Sequence, residues 1–157
     1  MLKAKVRKKG GGKIQKELNE LLRISKQPQQ VKVGIPAESI TYPDGTDLTM
    51  VAAVNEFGSL DGRIPERSYL RSTLVEKANK FRAFWRRKNA KEILLGETTP
   101  TAVLNILGQI AQAEVQKKIV ALAEPPNAES TVERKGSSNP LVDTGLLRQS
   151  IRYEVDP

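Results

Sequence analysis

Cysteine and histidine are both absent from the chain. Without cysteine, no disulfide framework, zinc–thiolate centre or thiol nucleophile can form. Without histidine, the commonest general base and the commonest neutral metal ligand are missing. Acid–base work would fall to carboxylates, lysine or tyrosine, and most of the usual hydrolase layouts drop out. Long hydrophobic runs are lacking too. No apolar stretch approaches the roughly 20 residues that a bilayer-crossing helix needs, so no membrane partner is expected. The basic N-terminus leads into Gly10-Gly11-Gly12 and a charged segment, with no apolar core behind it. A secretory signal is therefore not expected.

What is present fits one modest domain. A chain of 157 residues can bury a core without metals or cross-links. Its 38% hydrophobic and 28% charged residues suit a small core with polar extensions. The net charge of +8 is unevenly placed: residues 1–16 hold seven basic residues and no acidic one, leaving +1 for the rest. Residues 1–12 read as a flexible basic arm, because like charges repel and three glycines favour backbone disorder. Residues 13–157 read as a single α+β domain.

Within that domain, Ile14, Leu18, Leu21 and Leu22 recur at helical spacing and predict a helix over about 13–27, ended by Pro28. Val31 to Ile35 alternates with period two and reads as a strand stopped by Pro36. Pro43-Asp44-Gly45 is turn chemistry within the loop 37–47, and Ser39 to Tyr42 is a candidate for a short extra strand. Asp47 or Thr46 can cap a helix over 48–57. Its stripe is read as Met50, Val51, Val54 and Phe57, with Gly58 at the left-handed end. Leu70, Leu74, Ala78, Phe81 and Trp85 predict one long charged helix over 67–91, with Trp85 in the core. Thr99-Pro100 starts a second long helix over 100–123, striped by Val103, Leu107, Ile110, Ala111, Val115, Ile119 and Leu122. After Pro125-Pro126 the chain is polar to 143, with a single turn near 130–134. A short helix at Leu146-Leu147 and a strand from Ser150 to Val155 close it. The expected fold is a small, mainly antiparallel sheet packed on two long helices and some shorter ones. Two strands alone are marginal in water, so copies are expected to associate.

Candidate chemistry is thin. Gly10-Gly11-Gly12-Lys13 lacks both the preceding strand and the spacing of a phosphate loop, and reads as a hinge. Asp44 with Asp47, and Asp61 with Glu66, could in principle ligate magnesium, but turn and cap roles explain them as well. Ser137-Ser138 near Lys135 has nothing around it to form an oxyanion hole. Lys3, Lys5, Arg7, Lys8 and Lys9 in the arm suit either DNA phosphates or an acidic protein surface. No aromatic residue lies among them, so DNA binding there would be independent of sequence.

Two blocks go further. One is Val51-Ala52-Ala53-Val54-Asn55-Glu56-Phe57-Gly58 followed by Ile64-Pro65-Glu66-Arg67-Ser68-Tyr69-Leu70-Arg71. The other runs from Lys135 through Pro140-Leu141-Val142-Asp143-Thr144-Gly145-Leu146-Leu147-Arg148-Gln149-Ser150-Ile151. With the strand Val31 to Ile35, they resemble the tail-component (virion morphogenesis) family of long-tailed double-stranded-DNA bacteriophages, over about residues 31–155. The resemblance implies a structural virion protein of the neck or tail top. It would form a ring, commonly hexameric, that completes the tail and joins it to the head connector. Implied neighbours are other neck proteins, the tail terminator and the tail tube, with non-specific contact to DNA in the channel. The protein would be made in the cytoplasm of the bacterial host and end in the virion. No catalytic residue, metal or cofactor is implied. A tail terminator capping the tube is an alternative within this class, and a small basic DNA-binding accessory protein is one outside it. The arm does not belong to the family pattern, and the chain stops sooner after its last strand than some relatives do.

Inside these blocks, Asn55, Glu56, Phe57, Gly58, Pro65, Asp143, Thr144 and Gly145 are expected to shape the fold. Phe57 would plug a helix end into the core, Gly58 would supply a positive φ, and Pro65 would fix the next loop. Asp143 and Thr144 would cap the short helix. Arg67 and Arg71, four apart, would share a helix face and, with Arg148, pair with acids on a neighbouring subunit.

Overall fold

The structure, a computed structural model, describes residues 12, 19, 30–36, 40–86, 90–136, 138–141 and 144–156. The basic arm with Lys3, Lys5, Arg7, Lys8 and Lys9, the helix expected over 13–27, Ser137 and Asp143 lie outside the described residues.

The two strands form where period-two alternation places them. β1 (Gln30–Gly34) pairs antiparallel with β2 (Arg152–Asp156) in a two-stranded sheet. The register sets Val31 opposite Val155 and Val33 opposite Tyr153, with Lys32 opposite Glu154. The apolar pairs therefore share one face and are half-buried, while Lys32 and Glu154 face outward. Lys32 Nζ lies 2.5 Å from Asp156 Oδ2, two residues along the facing strand from Glu154. Of the stretch Ser39 to Tyr42, Ser39 lies outside the described residues, and the remainder contributes an isolated bridge, Thr41 to Asp47, across the tight turn at Pro43-Asp44-Gly45.

Seven helices lie among the described residues. α1 spans Leu48–Phe57, α2 Leu70–Glu76, α3 Ala78–Phe84 and α4 Ala90–Leu94. α5 spans Pro100–Ala121, α6 Glu129–Lys135 and α7 Leu146–Ser150. The longest, α5, starts as its sequence dictates: the Thr99 side chain accepts from the Ala102 N–H, and Pro100 occupies the first turn. Its buried stripe is Val103, Leu104, Gly108, Ala111, Val115 and Ile119. At 1.5 Å per residue it runs about 33 Å.

Gly108 is buried inside that stripe because the ring of Tyr153 lies on it. A Cβ at this position would stand 2.7 Å from Tyr153 Cγ. The sheet thus seats on α5 through one aromatic ring against bare backbone. The main core gathers at the other half of α5. There Val115 and Ile119 meet Leu48 and Ala52 of α1, Tyr69, Leu141, Leu147 and Ile151.

Two expectations about helices need correction. The long helix expected over 67–91 is neither continuous nor so early. It begins at Leu70, because Arg67 donates its backbone N–H to the Asn55 carbonyl and is held outside the helix. It breaks at Lys77, where φ is −95° and ψ is 2°. Lys77 at the break and Lys80 just beyond it both reach Glu114 on α5. The inward face of α1 is also not the apolar stripe read from the sequence. Leu48, Ala52 and Glu56 point into the molecule, while Met50 is 67% and Phe57 62% exposed. Phe57 therefore plugs nothing, and the Arg71 guanidinium lies over its ring, 4.5 Å from the centroid. Trp85, expected in the core, is 37% exposed.

Candidate functional site

The first sequence block folds into a corner built on one carboxylate. Asp47 caps α1 by accepting from the Met50 N–H. Two further turns carry Glu56 to the inner face, where it is 4% exposed. Gly58 then turns the chain with φ +80°; a Cβ there would sit 3.1 Å from Glu66 N and 3.2 Å from the Ile64 carbonyl oxygen. That close return is why a glycine stands at this position. The loop closes on itself through Ser59 N–H to the Ile64 carbonyl at 2.9 Å. Asp61 accepts from the Ser59 hydroxyl at 2.6 Å and the Arg63 N–H at 3.1 Å.

The chain re-enters with the N-terminus of α2 aimed at Glu56. Glu56 Oε2 accepts the N–H groups of Tyr69 and Leu70, each at 2.9 Å. Oε1 accepts the Arg71 N–H at 3.0 Å, the Ser68 hydroxyl at 2.8 Å and Arg71 Nε at 3.0 Å. A helix start leaves unpaired N–H groups, and here one acid from the preceding helix satisfies three of them. Burial pushes the Glu56 carboxyl up, but the N–H groups of Leu70 and Arg71, the Ser68 hydroxyl and the Arg71 side chain outweigh it and hold it below its ordinary value. The Tyr69 phenol is pushed well up, mainly by burial and then by the nearby Glu56 charge.

The two arginines expected to reach a neighbouring subunit are occupied within their own chain. Arg67 is 5% exposed. Its Nε donates to the Pro125 carbonyl at 2.8 Å and its Nη2 to the Pro126 carbonyl at 2.7 Å. A planar guanidinium suits two adjacent carbonyls, and the corner is thereby tied to the chain leaving α5. Arg71 bridges Glu56 to Glu66, with Nη2 2.7 Å from Glu66 Oε1. The two do not share a helix face, since Arg67 precedes α2. Arg148 is exposed on α7, and its carbonyl accepts from Gln116 Nε2 at 3.1 Å.

The second block meets the first across an open cleft of about 800 Å³. Its lining includes Val51, Asn55, Ile64, Pro65 and Arg67 from the first block and Pro140, Leu141 and Leu147 from the second, with Asp44 and Arg63 beside them. Asn55 donates its amide to the Val51 carbonyl at 2.8 Å. Thr144 Oγ1 accepts from the Leu146 N–H at 3.3 Å, just ahead of α7, and Gly145 between them has φ +78°. The polar groups around the cleft hold the fold: Asp44 Oδ1 accepts from the Thr46 N–H at 2.9 Å, and Arg67 holds its two carbonyls. Among the described residues no group of three or more acids could hold a metal ion, and no helix is long and apolar enough to cross a membrane.

Sequence reading placed Glu56 in a fold-shaping motif but did not see its role as a cap for α2. The signal available was its spacing: Leu48, Ala52 and Glu56 recur every four residues, one helix face that ends in an acid. The twinned carbonyls that hold Arg67 lie 58 and 59 residues downstream, and nothing local announces them. No protein-family model, curated protein or solved structure matches the chain.

Proposed function

We propose that this chain is a structural subunit of a bacteriophage neck or tail top, forming a ring that completes the tail and joins it to the head connector, and that it is not an enzyme. The observation that carries the reading is the meeting of the two sequence blocks. Separated by the 63 residues 72–134, they line one cleft, as expected if they belong to one piece of architecture rather than to chance likeness. Two further features support it. The charged groups beside the cleft are engaged in holding loops and helix ends, which leaves no evident acid–base pair for catalysis. Large apolar side chains, among them Met50, Phe57, Leu60, Val75 and Trp85, stand in solvent on a single copy. Such surface is costly in isolation and is covered when copies pack side by side.

Within this reading the subunits surround the DNA path, and the basic arm supplies sequence-independent contact with DNA or with an acidic neighbour. The neighbours are the tail tube and the other neck proteins. The test is localisation. Purified phage particles containing a tagged copy should show added density in a closed ring where tail meets head. Particles that infect normally and contain no copy of the chain would end the proposal.

A further inference from the structure

The sheet is open along both of its edges. β1 and β2 bond to each other, and no backbone N–H or carbonyl of either strand finds a partner elsewhere among the described residues. One face is spent on α5, where Val31, Val33, Tyr153 and Val155 are half-buried, while Lys32 and Glu154 look out to solvent. A pair of strands is marginal in water, and unpaired edge groups are a template for a further strand. Each strand is five residues long. Prolines stand close to their ends, Pro28 and Pro36 around β1 and Pro157 after β2. Proline has no N–H to donate, so the bonding edges stop where the strands stop, which limits slippage of register.

The two edges match each other. In an antiparallel pair, residues directly opposite one another either exchange their hydrogen bonds or both turn them outward. Whichever alternate residues of β1 face outward, their opposites on β2 therefore do so too. A second β2, laid along the outer edge of β1 in the register already present, meets each outward group of β1 with one of its own. The same register keeps the four apolar side chains on one face, where a slip of one residue would reverse them. The spacing agrees as well. Two strands advance a sheet by about 9.6 Å, and packed helices lie about 8–10 Å apart. Each added pair of strands thus makes room for one more α5 beside the last.

We propose that β1 of one copy pairs antiparallel with β2 of the next, in the register the two strands adopt within a copy, so that one sheet runs from copy to copy. The proposal rests on the ring reading above and deepens it by naming the surfaces that meet. The occupant is a second copy because every copy carries both halves of a pairing its own fold already realises. Backbone hydrogen bonds carry the contact, and side chains choose among the pairings. Full-length pairing of β1 with β1 sets Lys32 against Lys32, and β2 with β2 sets Glu154 against Glu154. Pairing β1 with β2 sets Lys32 against Glu154 instead. Lys32 already reaches Asp156 of its own chain, but that pair is partly exposed and worth little. A contact between unlike edges is head to tail, the kind that generates a closed ring when the rotation between copies is right.

The absence of cysteine makes a direct test possible, since one introduced cysteine can cross-link only to another copy. Lys32→Cys and Glu154→Cys alter exposed side chains on the outward face, and circular dichroism first checks that each chain folds. The two are made separately, one with a tag that changes its size, and mild oxidation is followed on non-reducing gels. Opposed residues of paired strands have Cα atoms about 4.5–5.5 Å apart, within reach of a disulfide. An equimolar mixture should give the mixed dimer as its main cross-linked product, and either chain alone should give almost none. Gln30→Cys with Asp156→Cys repeats the test at another opposed pair, should the first pair fail to fold. Self-dimers as the main product of either chain alone overturn the proposal, because like edges are then meeting. A ring of fixed size in native mass spectrometry, with no dimer from mixtures of folded chains, overturns the edge pairing and leaves the ring reading intact. Chains that stay monomeric at every concentration and also on isolated tails remove both.

Discussion

The corner around Glu56 and the segment around Trp85 use the same kinds of residue in opposite ways. At the corner, arginine is spent inside the subunit. Arg67 is buried on two carbonyls, and Arg71 bridges two acids of its own chain. In the segment after Lys77, Arg82, Arg86 and Lys91 are left in solvent beside a half-exposed tryptophan. The corner meets its charges with groups of its own chain, whereas Arg82, Arg86 and Lys91 are left to solvent. The difference is a matter of desolvation: a buried cation must have its hydrogen bonds met at home, whereas a surface cation keeps them available for a partner.

The contrast is sharpest if Glu56 is removed. Glu56→Ala leaves three helix N–H groups and an arginine without their acceptor in a buried setting. A stability loss of about 3–5 kcal/mol is expected, read from the urea midpoint. Arg67→Lys comes next. A lysine cannot hold both proline carbonyls in one plane, and a loss of about 1–2 kcal/mol is expected by the same measurement. Gly108→Ala is of similar size. Its methyl group would displace the Tyr153 ring, costing about 1–3 kcal/mol, against a gain of about 1 kcal/mol in helix propensity. Tyr153→Val should convert that substitution from harmful to neutral or favourable, which a double-mutant cycle would show.

Acid should act on the corner through Glu56. Its carboxyl titrates below its ordinary value of 4.5 when folded, so the stability it contributes is complete above that value and is lost as pH falls through the lower folded value. Glu114, held down chiefly by its hydrogen bond from Lys80, and Glu76, held down chiefly by Lys118, act in the same direction. Glu56→Gln should flatten the acid limb of the stability–pH curve without abolishing it. The smallest effect is expected at the other region. Lys80→Ala and Lys118→Ala remove exposed ion pairs and should leave the urea midpoint of the isolated subunit unmoved within error. A large drop from either would mean that the segment after Glu76 is as much a part of the fixed scaffold as the corner.

The same contrast explains what could be read from the chain. Strands β1 and β2, the start of α5 at Thr99-Pro100 and the turn at Pro43-Asp44-Gly45 all follow from local pattern, and local pattern is legible. The inward face of α1 was not. Hydrophobic periodicity favoured Met50 and Phe57, yet a glutamate took the core side because partners 12 to 15 residues later satisfy it. The helix expected over 67–91 failed for a related reason. Its apolar spacing persists through Lys77, but contacts to Glu114 on a distant helix lie where the chain bends. Arg67 read as an interface residue because arginine is common at interfaces, and its actual acceptors are set by the fold alone. Gly108 carried a usable hint, since a glycine in the middle of a long apolar stripe commonly marks a close approach.

At the centre of the account stands a claim about surfaces: this chain works as one repeated member of a closed ring, through what its faces meet. Native mass spectrometry across a dilution series in low salt addresses it most directly. A single assembly of fixed copy number, growing at the expense of monomer with no ladder of larger species, is the predicted result. Open-ended polymers of every size, or an unassociated chain at the highest concentration, would contradict it.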